Sequence, residues 1–236
     1  MDTIITRGVS IPRLGFGTFR MPGGGCQPVV ESALALGYRH LDTAAMYENE
    51  DAVGAAIAAS NVARGELFVT TKVWHDQLGT KDSIRRAFDT SIGKLKLDYV
   101  DLYMIHWPSK DMDMAVVMET LMTLRDEGRA RAIGVCNFNL PMLRLAVDEI
   151  CALVASVQVE YHPFLDQSAM LAYAPGTAPS FYHTWYLKPQ GDACLVVTDE
   201  VGKGKDAAHL RKMDESLMHR GHDLWLATLK WMSEGK

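Results

Sequence analysis

The sequence predicts an α/β protein of the (β/α)8 TIM-barrel type, incomplete, with six recognisable βα units and an atypical C-terminal tail. Two observations lead there. Strand-like apolar runs alternate with amphipathic helical stretches six times, at spacings of about thirty residues, which calls for a parallel sheet with crossover helices. The second is a missing motif. An open dinucleotide-binding sheet places Gly-x-Gly-x-x-Gly after its first strand. Here Gly15-Phe16-Gly17-Thr18-Phe19 lacks the third glycine, and Gly23-Gly24-Gly25 misses the spacing. The barrel is favoured over the doubly wound sheet.

The elements follow in order. A hairpin from Thr3 to Ile11 is expected to close the bottom of the barrel. Leu14 to Phe19 forms the first strand, and Pro28 to Leu36 a helix closed by Gly37. Gly37 to Asp42 is the second strand and leads to a helix from Glu50 to Ala59. Leu67 to Lys72 is the third, followed by Ile84, Ala87, Phe88, Ile92 and Leu95 at helical spacing. Tyr99 to His106 is the most strand-like run, stopped by Pro108. The next helix has Val117, Leu121 and Leu124 on one face and ends at Gly128, a C′ residue. Ala130 to Cys136, a helix from Pro141 and the strand Val154 to Glu160 follow.

After Tyr173 the pattern breaks. Ala174 to Ser180 is a turn-rich linker, then come aromatic Phe181, Tyr182, Trp185 and Tyr186. Ala193 to Thr198 is a strand candidate, and a polar helical stretch starts at Asp206. The expected domains are 1–173, the barrel, and 174–236, a segment that packs irregularly or offers one substitute strand around Leu195 to Thr198.

The chain has 236 residues, 48% hydrophobic and 22% charged, with a net charge of -5. That balance argues against nucleic acid or an anionic membrane as partner. No apolar run approaches the roughly 20 residues of a membrane span. Met1 to Arg7 has neither the basic start nor the apolar core of a signal peptide. Cys26, Cys136, Cys151 and Cys194 stand far apart and form no CxxC pair, which fits a reducing cytoplasm and no structural zinc. His219, His222 and Asp223 read as a solvated helix face rather than a metal site. The expectation is a cytoplasmic monomer without metal.

Four residues carry chemistry. In a parallel barrel the working face is the C-terminal end of the strands. Asp42, Lys72 and His106 end the second, third and fourth strands, and Tyr47 lies in the loop after the second. Taken alone, His106 reads as a core histidine and Asp42 with Lys72 as an ion pair. Together on one rim, the four read as an electrophilic clamp on a carbonyl. An ammonium near a phenol is expected to lower its pKa, a carboxylate keeps that ammonium charged, and an imidazole can hold a carbonyl oxygen. None of them can deliver an electron pair, so a cofactor must supply hydride.

Five segments now matter: Leu14 to Phe19, Tyr38 to Glu50, Thr70 to Trp74, Asp98 to Pro108 and Ile133 to Phe138. In order and register they resemble the aldo-keto reductases, most closely the bacterial 2,5-diketo-gluconate and methylglyoxal reductases. The resemblance implies that Asp42, Tyr47, Lys72 and His106 are the catalytic tetrad. It implies that Thr18, Phe19, Asn137 and Gln158, with Asp42, hold the cofactor, and that Trp74, Trp107 and His106 face the substrate. NADPH is the implied cofactor, with NADH an alternative, and a small aldehyde or ketone the implied substrate. Cys136 stands where the family usually has serine. The resemblance ends near Tyr173, and no counterpart of the family's basic phosphate segment follows. Such a break points to a shifted reading frame or a replaced C-terminus.

Overall fold

The computed structural model of the chain describes residues 3–160, 168–173, 181–190 and 193–202. The chain divides into two compact units, between Val159 and Glu160.

The first unit opens with an antiparallel hairpin, β1 (Thr3–Thr6) and β2 (Val9–Pro12), pairing Thr3 with Pro12 and Thr6 with Val9. Between them Arg7 and Gly8 have φ of 45° and 82°. Two successive positive φ values make the tight turn whose twist suits a hairpin.

Six strands alternate with helices after the hairpin. They are β3 (Phe16–Gly17), α1 (Cys26–Ala35), β4 (His40–Asp42), α2 (Glu50–Ala59), β5 (Phe68–Val73) and α3 (Lys81–Leu95). Then come β6 (Val100–Ile105), α4 (Met114–Asp126), β7 (Ala130–Cys136), α5 (Leu140–Arg144) and β8 (Val154–Gln158). In the sheet they lie in chain order from β3 to β8, and every neighbouring pair is parallel. A doubly wound sheet reverses its order at a switch point. This sheet never does, and it forms the wall of an incomplete (β/α)8 barrel.

The first strands are shorter than the sequence suggests. Gly37, at φ 99°, donates its N–H to Leu34 O, and Tyr38 donates to Ala33 O. Both donors are spent on closing α1, so the second sheet strand begins at His40 and not at Gly37. The helix expected from Pro141 is a short one, running on into a π-helical turn over Leu145–Glu149. The middle helices begin where their caps dictate. Thr80 and Ser83 cap α3 reciprocally, and Asp113 accepts from Ala115 and Val116 N–H at the start of α4.

Alternation along the strands turns Phe68, Leu102, Met104, Ala132 and Cys136 into one buried cluster. Val9 of the hairpin belongs to it, with Ile11 and Ala155 packed alongside. Thr6 Oγ1 adds a 3.0 Å hydrogen bond to Ala155 O. The hairpin therefore fills the barrel end expected of it. Gly134 is needed where β7 meets β8, because a Cβ there would sit 2.8 Å from Ser156 O and 2.9 Å from Met104 Cε.

In the second unit, Ser168–Tyr173 forms α6, and two long strands follow, β9 (Phe181–Gln190) and β10 (Ala193–Gly202). They pair antiparallel, from Phe181 opposite Gly202 to Gln190 opposite Ala193, as a two-stranded sheet of their own. Over these described residues a pair of strands stands in place of the single substitute strand expected around Leu195 to Thr198. Aromatic residues in β9 and β-branched residues in β10 favour strands, and each supplies the other's hydrogen-bond partners. The linker 174–180, the polar stretch from Asp206, and His219, His222 and Asp223 lie outside the described residues.

Candidate active site

Parallel strands bring their C-terminal ends to one rim. β4 ends on Asp42, Lys72 is the last residue but one of β5, and His106 directly follows β6. Tyr47 closes the short 3-10 turn Ala45–Tyr47 beyond β4. The Lys72 ammonium is fully buried and ion-pairs with Asp42 Oδ1. It also donates to Thr43 O at 3.0 Å and to the Tyr47 hydroxyl at 3.5 Å. The Tyr47 and His106 rings meet edge to face, with centroids 5.4 Å apart. The four residues the sequence singled out are thus mutual neighbours.

Their electrostatics follow from burial and from one another. Burial pulls the Lys72 ammonium down, but Asp42, Tyr47 and Cys136 outweigh it, so its pKa ends above the ordinary value. For Tyr47 the balance reverses the expected direction. Burial pushes the phenol up further than the neighbouring ammonium pulls it down, and Asp42 adds to the rise. The phenol therefore keeps its proton at neutral pH. Burial, helped by Lys72 and opposed by Asp42, pushes His106 down to about 4, so its ring is neutral. Its Nδ1 is buried and has no hydrogen-bond partner among the described residues.

The residues assigned to the cofactor occupy two sides of this group. Gln158, at the end of β8, donates from Nε2 to Asp42 Oδ2 at 3.3 Å. Asn137, with φ 60°, donates from Nδ2 to His106 O at 2.8 Å and from its backbone to Gln158 O. Phe19 is 53% exposed, and its ring lies 5.1 Å from that of Tyr47. Thr18 is different. It is fully buried, with its hydroxyl turned to Asp42 O and Asn49 Oδ1, so it holds the loop that carries Phe19. An exposed aromatic face and carboxamides on the rim fit a flat, polar ring such as a nicotinamide.

Trp74 stands edge-on to His106 at 5.1 Å, and Trp107 is 47% exposed. Both line a cavity of about 500 Å³ together with His75, Pro108, Ser109, Lys110 and Asp111.

Two residues of the site went unassigned in the sequence. Asn49 is completely buried, donates to Thr18 O and Met21 O, and accepts from Thr43 Oγ1. It ties the Phe19 loop to the strand end that bears Asp42. Thr43 contributes its carbonyl to Lys72. The one available signal was a polar Asn placed between Tyr47 and the helix beginning at Glu50.

Known proteins resemble much of this chain. The model of the Aldo/keto reductase family matches residues 13–175. Methylglyoxal reductase DkgA of Yersinia pestis is 44% identical over 164 residues, covering 69% of this chain and 58% of that protein. Methylglyoxal reductase DkgB of Escherichia coli O157:H7 is 42% identical, covering 70% and 63%. The chain thus spans about 60% of the length of these curated relatives. The crystal structure of an aldo/keto reductase from Brucella melitensis superposes with a TM-score of 0.69 at 41% identity, covering 72% of this chain and 67% of that one. The family match takes in the six-stranded sheet and its rim, and on that ground the chain belongs to the aldo/keto reductase family.

Proposed function

We propose that this protein reduces small aldehydes or ketones, such as 2-oxoaldehydes or keto-sugar acids, to alcohols with NADPH, and that Tyr47 donates the proton. NADH is the alternative cofactor. The observation that carries this reading is the Lys72 ammonium held between Asp42 and the Tyr47 hydroxyl.

The chemistry follows from what each group can do. Phe19 on one side, on the loop that Thr18 anchors, and Asn137, Gln158 and Asp42 on the other, would hold the nicotinamide end. When bound, that ring supplies the hydride that no side chain here can supply. Tyr47 gives its proton to the carbonyl oxygen, and Lys72 stabilises the phenolate left behind. His106 is neutral with Nδ1 unpartnered among the described residues, so its proton is better placed on Nε2, where it can donate to the same oxygen. Trp74 and Trp107 supply apolar walls beside it.

A second reading has its own support. The family match stops at residue 175, and the chain covers 58% of its Yersinia pestis relative. Residues 1–173 are then a reductase-like barrel that binds cofactor weakly or not at all, and 174–236 an atypical segment. One experiment separates the two. Fluorescence titration with NADPH and NADH, followed by turnover of methylglyoxal, gives saturable binding and product for a reductase. No binding of either nucleotide gives the second reading.

A further inference from the structure

We infer that Cys136 is a positioning residue whose thiol holds the Gln158 carboxamide in the orientation that serves Asp42. Cys136 and Gln158 are register partners on β7 and β8, so their side chains point the same way from neighbouring strands. Cys136 Sγ lies 3.4 Å from Gln158 Oε1, and Gln158 Nε2 lies 3.3 Å from Asp42 Oδ2. Asp42 Oδ1 in turn pairs with Lys72, which reaches the Tyr47 hydroxyl. A continuous polar chain therefore runs from a buried thiol to the phenol.

Each link has a fixed direction. A carboxylate only accepts, so Asp42 demands the NH2 face of the amide. Turned over, the amide would set its own oxygen against a carboxylate oxygen. With the NH2 face committed, Oε1 points at sulfur, and an amide oxygen can only accept. Cys136 must therefore donate. It is 1% exposed, and burial, with Asp42 and against Lys72, pushes its thiol up to about 12, so the proton is there to be given. Gln158 is exposed on the rim, where packing restrains its side chain little. Met104 Sδ, 3.9 Å from Cys136 Sγ, is the competing acceptor and the weaker one.

The consequence for cofactor binding rests on the proposed reductase reading; the consequence for the thiol does not. An S–H stretching band moves to lower frequency when the thiol donates a hydrogen bond. Infrared difference spectra, wild type minus Cys136→Ser, isolate the Cys136 band. In Gln158→Leu this band is expected to move to higher frequency. A band that stays in place means that Gln158 is not the acceptor, and overturns the inference. Cys136→Ala should weaken NADPH binding about two- to tenfold, the range of one modest neutral hydrogen bond. Cys136→Ser should restore it, because a hydroxyl can donate in the same place. In a Gln158→Leu background, Cys136→Ala should cost nothing further. An additive loss would instead mark a packing effect and overturn the positioning role. If the wild type binds no NADPH, the reductase reading fails by itself, and the infrared result alone decides the role of Cys136.

Discussion

Lys72 Nζ lies 3.5 Å from the Tyr47 hydroxyl and 5.2 Å from the centre of its ring. The same ammonium ion-pairs with Asp42 and is completely buried. One cation thus faces both the group that would lose a proton and the carboxylate that keeps the cation charged. That double duty makes the site sensitive to single atoms.

Tyr47→Phe removes one hydroxyl and almost no volume. Turnover should fall by about 10²–10⁴-fold, the usual contribution of a general acid. Folding and NADPH affinity should survive, as melting temperature and fluorescence titration can show. Comparable turnover by the variant would remove Tyr47 from the proton-donor role.

Lys72→Met takes the cation from Asp42 and Tyr47 together. The phenol already sits above its ordinary pKa with Lys72 present, and without it the phenolate becomes harder still to form. Activity should drop by a factor comparable to that of Tyr47→Phe. The melting temperature should also fall, because Asp42 loses its ion-pair partner. A fully stable and active Lys72→Met protein would contradict this.

Stability should decline in mild acid. The His40 ring lies between Pro12 O and Thr70 Oγ1, and burial lowers its pKa; that of His106 is pushed down to about 4. Unfolded histidine protonates near 6.5, so below that pH the unfolded chain takes up protons that the folded chain refuses. This histidine contribution to stability is therefore full above pH 6.5 and is lost as pH falls toward 4. Urea midpoints measured across this window should decrease, and His106→Gln should flatten the decrease. An unchanged slope in that variant would assign the effect elsewhere.

Asn49→Asp replaces an NH2 group by a carboxylate oxygen facing Thr18 O and Met21 O, both of them acceptors. Leaving buried polar groups unsatisfied costs about 1–3 kcal/mol, so thermal unfolding should shift clearly downward. Asn49→Asp with wild-type stability would mean that the Phe19 loop is held by other contacts.

The order of the six strands and the identity of the rim residues were legible in the sequence. Apolar runs and helical spacing repeat locally, and Asp42, Lys72 and His106 each stand at a strand end by counting along the chain. Resemblance then supplied Asn137 and Gln158. Other features needed the folded chain. The short second strand follows from donors spent on closing α1, the rise of the Tyr47 pKa from burial that outweighs a nearby cation, and the pairing of β9 with β10 from partners each strand lacks alone. The hub at Asn49 and the bond from Cys136 to Gln158 are of the same kind. Periodicity is written into neighbours along the chain, and a sequence displays it. Desolvation and hydrogen bonding depend on which distant groups close around an atom, and tertiary structure decides that.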